Sequence, residues 1–457
     1  MARAADAVSQ LTIELAAYMA AAGGRPLPEV VAEKTRLHIL DTLAAVLSGS
    51  RLRAGLLARA YVESLGGKPD ATVIGAAERT NCVNAALANG MAGHADETDD
   101  SHLAGRFHPG CGIVPAAFAV AEREAASGAA LTRAVALGYD IGARATRSLG
   151  YARPDTSRHS THSLGAAFGA AAAAASLLRL DVRQMRHVLS YTVQQASGVP
   201  YWQRDSEHVE KAFDFGGMGA RNGVAAATMV ASGFSAVDDP LSGAHQFFSA
   251  FGEAPAPGLL VDGLGQRYEI MAASIKKWCV GSPIQSMLDA LEALMATHGF
   301  NAGDIVKVVV EMPDDRLHIV DNRAMPDVCA QHLAAAMLID RGLDFASTHD
   351  HARMDDPAVR ALRAKIELVP SPVLTHAKPA RQSIVSIETR DGRSLRHHAV
   401  AVRGTPENPM TRAEVEAKAR DLASPVVGAA RADGLVAAVA GLETLADARD
   451  LRAFLTA

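Results

Sequence analysis

The sequence predicts two domains, a large all-α helical domain and a smaller α+β domain. The chain has 457 residues, which is more than a single hydrophobic core usually fills. Apolar residues recur at helical spacing from the start to about residue 265. Strand patterns occur only between about residues 266 and 404. These three observations separate a helical part of the chain from a mixed part.

The first part of the chain contains a succession of helical patterns and no alternation long enough for a useful strand. The predicted helices are Ala5–Ala22, Glu29–Leu47, Asn81–Gly93, Gly112–Ala126, Leu131–Leu149, Gly165–Leu180, Val182–Ala196 and Gly223–Ser232. Aromatic residues make up only 5% of the chain, so we expect cores packed mainly with Ala, Leu and Val. The longest apolar run, Leu164–Leu178, is too short and too rich in Ala and Gly to span a bilayer.

The α+β domain is predicted from β-branched runs with turn signals between them. Asp304–Met312 reads as a strand, and Ser383–Arg390 and Ser394–Val402 read as a hairpin joined by Asp391-Gly392. Helical patterns at Pro283–Thr297 and Val328–Ile339 lie among these strands. The last segment, Asn408–Leu455, is helical again. We therefore expect residues 1–265 and 405–457 to form the helical domain and residues 266–404 the α+β domain.

Composition excludes several classes of function. A net charge of -5 without a basic block argues against nucleic acid or an anionic membrane as a partner, so an anionic ligand needs a local pocket of Lys, Arg and His. The 4 cysteines form no close pair, which argues against a disulfide framework, a zinc ribbon or an iron–sulfur cluster. Asp6 and Glu14 interrupt the region where a secretory signal would be apolar, and a cytoplasmic protein is predicted. Motifs of serine hydrolases, NTPases and Rossmann dehydrogenases are absent from the sequence.

The segment richest in side chains that could take part in catalysis or ligand binding is the acidic loop, residues 93–116. Its sequence is GHADETDDSHLAGRFHPGCGIVPA. It places three histidines (His94, His102, His108) among four carboxylates (Asp96, Glu97, Asp99, Asp100). Such a mixture of imidazole and carboxylate can transfer protons, bind an anionic substrate or bind a metal ion. For a metal, His94, Asp96, His102 and His108 are the candidate ligands, although their spacing matches no standard ligand pattern.

Five elements in the same order resemble the MmgE/PrpD family, whose members include 2-methylcitrate dehydratases, cis-aconitate decarboxylases and an iminodisuccinate epimerase. They are L-D-T-L at 40–43, the A-A-x-x-N-G-x-x-x-H approach to the acidic loop at 85–94, H-x-T at 159–161 with Gly165, Lys211 with Asn222-Gly223, and Lys276 with Asp289-Ala290. The acidic loop itself resembles the family's signature, with H-P-G at its end.

The resemblance implies a helical domain and an α+β lid domain around a cofactor-free pocket for di- and tricarboxylates. It also implies that the protein is a homodimer. It assigns catalytic roles to Glu97, His108, His159, Lys211 and Lys276 and substrate binding to Ser101 and His332, with no metal and no cofactor. These residue types suit the chemistry, since cationic side chains bind carboxylates and a neutral His or a desolvated Lys can remove a neighbouring proton. By contrast, His162 is predicted to be a cap or a core residue.

Three positions depart from the family pattern. The family usually has Asp at the Glu97 position, many members have His at the Gly281 position, and several have Tyr at the His332 position. Our first hypothesis is a cofactor-independent dehydratase or hydratase of a 2-methylcitrate-like substrate, with decarboxylation and epimerisation of a similar polycarboxylate as alternatives. From other classes, a metal-dependent hydrolase and a non-catalytic helical scaffold stay open.

Overall fold

Packing divides the chain into two compact units in the computed structural model, which describes residues 8–151 and 158–456. The first unit comprises the described residues of 1–95, 99–273 and 415–457, and the second comprises Asp96–Thr98 and Ser274–Glu414. The sequence placed the boundaries at 265/266 and 404/405. It gave no sign that three residues of the acidic loop pack with the second unit.

The first unit is built from helices, as the sequence predicts for this half. Up to residue 273 its helices are α1 Gln10–Ala22, α2 Glu29–Gly49, α3 Arg53–Leu65, α4 Cys82–Gly93, α5 Pro109–Arg123, α6 Gly128–Ser148, α7 Thr161–Leu177, α8 Val182–Gln195, α9 Val209–Ala212, α10 Met218–Ala231 and α11 Phe247–Phe251. The strands before residue 275 are two residues long, and they are β1 Ala71–Thr72, β2 Arg79–Thr80, β3 Ser101–His102 and β4 Ala273–Ser274. None of the described helices is long and apolar enough to cross a membrane. Helix α3 was not predicted.

Small residues let the central helices of the first unit approach closely. A Cβ atom on Gly138 of α6 would lie 2.9 Å from the carbonyl oxygen of Gly169 of α7, and a Cβ on Gly169 would lie 2.7 Å from that of Gly138. A similar contact joins α4 to the turn before α10, because a Cβ on Gly216 would lie 2.0 Å from the carbonyl oxygen of Gly90. Glycine at these positions is therefore a packing requirement, and it accounts for the Gly- and Ala-rich patterns.

The second unit contains a four-stranded mixed sheet. In chain order, its elements are α12 Gln285–Thr297, β5 Ile305–Pro313, α13 Asp314–Val320, α14 Ala330–Asp340, α15 Phe345–Thr348, α16 Pro357–Arg363, β6 Ile366–Ser371, α17 Pro372–Thr375, β7 Ser383–Thr389 and β8 Ser394–Ala399. The strand order is β6-β5-β7-β8, with β5 parallel to β6 and antiparallel to β7. Strands β7 and β8 form the predicted hairpin. The sequence analysis did not predict the edge strand β6, because Pro370 within it interrupts the pattern of a strand.

One core holds this unit together. Apolar residues of β5 and β7, such as Val308 and Ile387, pack with Leu291 of α12 and Leu333 of α14. All four are fully buried. Their removal from water provides the main stabilising contribution to this unit.

The final helices are α18 Arg412–Val427, α19 Ala429–Ala440 and α20 Arg452–Leu455, and from Val415 onward they belong to the first unit. Lys418 forms an ion pair of 2.6 Å with Asp41 of α2. Arg452 donates a hydrogen bond of 2.5 Å to Glu122 of α5. The end of the chain is thus attached to α2 and α5 by two charge pairs whose carboxylates are fully buried.

Candidate active site

Asp99 stands between two histidines in the first unit. Both of its carboxylate oxygens lie 3.0 Å from Nδ1 of His94, and Oδ2 lies 3.3 Å from Nδ1 of His108. His94 follows the last residue of α4, and His108 immediately precedes α5, so the two helix ends position the two rings. Asp99 and His94 are fully buried and His108 is 8% exposed. This arrangement can hold an imidazole in one orientation and balance its charge during proton transfer.

The electrostatics of the cluster keep Asp99 ionised. Burial raises the pKa of Asp99, but the charge interactions and hydrogen bonds with His94 and His108 together outweigh burial and hold this pKa well below its usual range. The buried carboxylate therefore acts as the counter-charge for an imidazolium at His94 or His108. The family resemblance assigned a catalytic role to Glu97 among the carboxylates of the acidic loop. In the structure it is Asp99 that lies beside His108.

Asp100, the next residue, supports the turn that carries His108. Its Oδ1 accepts a hydrogen bond of 2.7 Å from the backbone N–H of Gly110, and its Oδ2 accepts bonds of 2.6 Å from His38 Nδ1 and Tyr139 Oη. Burial lowers the pKa of His38 to about 4, against the opposing effect of Asp100, so His38 is neutral and donates through Nδ1. Asp100 therefore fixes the H-P-G turn from within the core.

Asp41 of the L-D-T-L element lies behind this network. Burial raises the pKa of Asp41 to about 6, although Lys418 beside it acts in the opposite direction. The pair joins α2 to α18, which makes Asp41 a structural support within the first unit.

A second group of rings extends from His94 and His108. Phe215 stacks on His94 with ring centroids 4.2 Å apart and on His162 at 3.6 Å. His162 lies 5.5 Å from His108, again between ring centroids. Burial, followed by the positive charges of His108 and His94, holds the pKa of His162 well below its usual range, so this ring is neutral. A neutral imidazole at this position can accept a proton.

Lys211 brings a cation to the same ring group. Its Nζ lies 5.2 Å from the ring centroid of Phe215 and 5.5 Å from that of Trp202. The chain adopts a π-helical turn at Phe213–Gly217, between α9 and α10, and this turn carries Phe215. Such turns are frequent at functional sites because they displace side chains from the regular helical positions. The structure thus places Lys211, His108, His94, Asp99 and His162 in one cluster.

His159 has different neighbours. Its ring contacts Phe251 edge to face, with centroids 4.8 Å apart, and burial followed by Arg158 lowers its pKa. Helix α7 begins at Thr161, which puts His162 in its first turn, while His159 precedes the helix. The spacing to Gly165 favoured His159 in the sequence, and His162 was predicted to be a cap or a core residue. In the structure it is the His162 ring that lies beside His108 and Phe215.

Comparison with known proteins shows to which protein family this chain belongs. The model of the MmgE/PrpD N-terminal domain matches residues 13–259, and that of the MmgE/PrpD C-terminal domain matches residues 278–444. This chain belongs to the MmgE/PrpD family. Curated relatives include a cis-aconitate decarboxylase-like protein, oryM, of Aspergillus oryzae, which is 25% identical over 98% of this chain and 97% of its own length. Cis-aconitate decarboxylase of Homo sapiens is 26% identical over 92% of this chain and 89% of its own length. That of Aspergillus terreus is 25% identical over 97% of this chain and 95% of its own length.

Glu97 and Lys276, two positions singled out by the MmgE/PrpD resemblance, meet within the second unit. Lys276 Nζ donates a hydrogen bond of 2.5 Å to the backbone oxygen of Glu97 and lies 3.4 Å from its Oε2. Both side chains are buried. Glu97 has a φ of 59°, a left-handed conformation that costs energy for a residue with a side chain. His349 Nε2 bonds the backbone oxygen of neighbouring Asp96 at 3.0 Å, so the second unit holds this strained turn at two points.

The two proposed substrate-binding residues are both buried. Ser101 lies in β3 of the first unit and is 5% exposed. His332 is fully buried on α14 of the second unit, and neither ring nitrogen has a hydrogen-bond partner among the described residues. Burial, and then the positive charge of Arg363, lowers the pKa of His332 to about 4, so the ring is neutral. At this position several members of the MmgE/PrpD family have Tyr.

Metal binding was the alternative interpretation of the acidic loop. One atom each of His94, Asp99 and Cys111 lie within 4.8 Å of one another, a grouping that could accept a cation. The Cys111 thiol instead donates to the backbone oxygens of His108 and Phe215, at 3.3 and 3.6 Å. His102, another ligand in that interpretation, accepts a bond from the Gly105 N–H and lies 3.3 Å from Glu269.

Proposed function

We propose that this protein is a cofactor-independent lyase that acts on a small di- or tricarboxylate. The observation that carries the proposal is the buried pair of Asp99 and His108 with neutral His162 and the cation of Lys211 in the same cluster. A proton-transfer group beside a cation is what a reaction next to a carboxylate requires. The names of the curated relatives, cis-aconitate decarboxylases, support the same class of reaction.

In our proposal the histidines move the proton and the lysine binds the substrate. Lys211 would attract a substrate carboxylate and stabilise negative charge on the carbon next to it. His108 would exchange the proton, because the carboxylate of Asp99 stabilises the positive ring that forms. His162, held neutral by burial, would accept a proton where a second transfer is needed. Lys276 and Glu97, to which the family resemblance also assigns catalytic roles, contact each other within the second unit.

Decarboxylation of a cis-aconitate-like substrate is the first reaction to test. The bond from carbon to one carboxylate breaks and CO₂ leaves, and the electron pair that stays on the substrate takes a proton from His108. Dehydration of a 2-methylcitrate-like substrate is the alternative. There a base removes the proton beside a carboxylate, the electron pair forms the double bond, and the hydroxyl group leaves as water after it gains a proton. Epimerisation would return the proton to the opposite face of the same carbon.

A panel of substrates separates these reactions. Purified protein is incubated in D₂O with cis-aconitate, citrate, 2-methylcitrate and iminodisuccinate, and products are followed by NMR together with CO₂ release. We expect turnover of at least one polycarboxylate. Decarboxylation or epimerisation should place deuterium on the reacting carbon, whereas dehydration removes a hydrogen there and places none in its product. A protein that shows no turnover and no exchange with any of them, while correctly folded, would contradict the proposed class.

The metal-dependent hydrolase is the second candidate, favoured by the proximity of His94, Asp99 and Cys111. Metal content of the purified protein and activity after treatment with EDTA test it directly. Our proposal expects activity to persist after chelation. Loss of turnover with EDTA and its recovery with zinc, manganese or iron would favour the hydrolase.

A further inference from the structure

The second unit contains a cleft of about 830 Å³ that is lined by three arginines. Arg323 follows α13, while Arg360 and Arg363 lie three residues apart on α16. Residues three apart on a helix share a face, so Arg360 and Arg363 present their charges to the same side. His351 and Asp355 complete the charged and titratable lining. Its volume lies within the range usual for small-molecule sites.

The arginines that line this cleft form no ion pair with a carboxylate among the residues that the structure describes. Three arginines against one aspartate leave a formal charge of +2 on the lining, in a chain whose net charge is -5. Among the described residues, no ion pair links Arg323, Arg360 or Arg363 to a carboxylate, whereas nearby Arg353 pairs with both Asp340 and Asp356. Like charges at short distance repel each other, so an anion in the cleft would relieve an unfavourable interaction.

Arg363 is held in place by a neutral partner. Asn322 Oδ1 accepts bonds of 3.4 and 3.1 Å from Nε and Nη2 of Arg363. The Asn322 amide is itself oriented, since its Nδ2 donates to Asp321 at 3.0 Å and its backbone N–H donates to Gln331 at 2.9 Å. An arginine that is positioned by an amide keeps its full charge and the rest of its donors for a ligand.

The buried His332 gives a second indication of the positive field. After burial, the charges of Arg363 and Arg353 are the next causes that lower its pKa to about 4. Arginines in the last turn of a helix can also serve only to complement the helix dipole. That explanation covers Arg360 and Arg363 but not Arg323, which comes from a different segment.

We infer that this cleft is a binding site for a small polyanion, whose carboxylate or phosphate oxygens Arg323, Arg360 and Arg363 contact. Guanidinium groups bind both kinds of oxygen through paired hydrogen bonds. The inference goes beyond the proposed function, because it concerns binding in the second unit and holds whichever reaction the chain catalyses.

Residue-resolved labelling tests the site without a need for turnover. The full-length protein is treated with phenylglyoxal, which modifies arginines, in the presence of citrate or inorganic phosphate at constant ionic strength. Peptide mass spectrometry then reports each arginine separately. We expect one of the two anions at about 10 mM to slow the labelling of Arg360 and Arg363 about tenfold, as a Kd near 1 mM requires. Protection by citrate alone identifies a polycarboxylate site, and protection by phosphate as well identifies a general site for small anions.

Arg396 of β8 is the internal control, because it is 58% exposed and lies outside the cleft. Its labelling should not change with either anion. In the variant Arg363→Gln, about tenfold more anion should be needed to protect Arg360, while Arg396→Gln should leave that protection unchanged. The inference would be overturned if neither anion slowed the labelling of Arg360, or if the labelling of Arg396 slowed by the same factor.

Discussion

The carboxylate of Asp100 accepts the backbone N–H of Gly110 at 2.7 Å, and so fixes the turn that carries His108. The acidic loop therefore uses two neighbouring carboxylates for two different tasks. Asp99 contacts the rings of His94 and His108, whereas Asp100 contacts the backbone after His108 and the core residues His38 and Tyr139. One residue provides a negative charge beside His108, and the next fixes the turn that carries His108.

Asp100→Asn should destabilise the protein and lower kcat. An amide accepts hydrogen bonds on only one atom, so at least one donor among Gly110, His38 and Tyr139 would lose its acceptor in a buried site. We expect a loss of about 2 kcal/mol or more, measured by urea unfolding. Asp433→Asn on α19, whose ion pair with Arg420 is exposed, is the matched control and should cost less than about 1 kcal/mol. Equal stability of Asp100→Asn and the control would show that Asp100 has no anchoring role.

Asp99→Asn should retain the fold but change the pH dependence of catalysis. Without the carboxylate, an imidazolium at His108 loses its counter-charge, so one limb of the profile of kcat/KM against pH should move to lower pH. We expect kcat to fall at least about tenfold, the scale of proton-transfer catalysis. An unchanged pH profile would exclude a role of Asp99 through His108.

Stability against acid gives a second measurement on Asp99. Its folded-state pKa lies below the unfolded value, so the stabilisation it provides is present above the unfolded pKa, near 4, and is lost as pH falls further. The wild type should therefore lose more stability than Asp99→Asn between about pH 5 and pH 2. Parallel stability curves for the two proteins would argue against a depressed pKa.

A pair of variants decides between the two histidines of the H-S-T-H segment. The family resemblance assigns the role to His159, whereas the geometry places His162 beside His108 and Phe215. We expect His162→Gln to lower kcat/KM at least about tenfold and His159→Gln to change it less than about threefold. Steady-state kinetics with the substrate found in the panel provide the measurement. A larger loss of kcat/KM in His159→Gln than in His162→Gln would show that His159, and not His162, takes part in catalysis.

Lys276→Ala should lose well over tenfold in kcat/KM, and Lys211→Ala should lose a similar factor. Removal of a cation from a buried charge pair costs about 2–5 kcal/mol. The adjacent Lys277 is the matched control, since it lies over the Trp278 ring and pairs with Glu292, which is half exposed. Lys277→Ala should retain activity within about threefold. Circular dichroism should confirm that all three variants fold. If Lys276→Ala and Lys277→Ala behave alike, the contact between Lys276 and Glu97 has no catalytic significance.

Asp214→Asn should stabilise the protein at neutral and alkaline pH. Burial raises the pKa of Asp214 to about 7, against the opposing effect of its hydrogen bond from Ser160. The folded-state pKa is above the unfolded value, so the contribution of Asp214 to stability is complete below about pH 4 and is lost as pH rises towards 7. The amide cannot ionise and avoids this loss. Urea unfolding at pH 5 and pH 8 should show that the advantage of the variant grows with pH, up to about 4 kcal/mol. An advantage that is the same at both pH values would contradict the raised pKa.

Local sequence patterns were sufficient to predict most elements of the fold. Helix α2 begins at Glu29 as predicted, and strands β7 and β8 flank the Asp391-Gly392 turn as predicted. These features depend on periodicity and turn preferences within a few residues, which are visible in a sequence. Helix α3, strand β6 and the short helices α9, α11, α13, α15, α16 and α17 were missed. Strand β6 depends on pairing with β5, more than fifty residues away along the chain, and no local pattern reports such a partner.

The sequence by itself determined that the chain is mostly helical and that one acidic loop carries three histidines and four carboxylates. Only the tertiary structure decided which of them meet. Glu97, in a left-handed backbone conformation, contacts Lys276 in the second unit, whereas Asp99, two residues later, lies between His94 and His108 in the first. Two charged side chains can pair only where the fold brings their backbone segments close together. That placement depends on the packing of whole helices, such as the close approach of Gly90 and Gly216, and not on the spacing of residues along the loop.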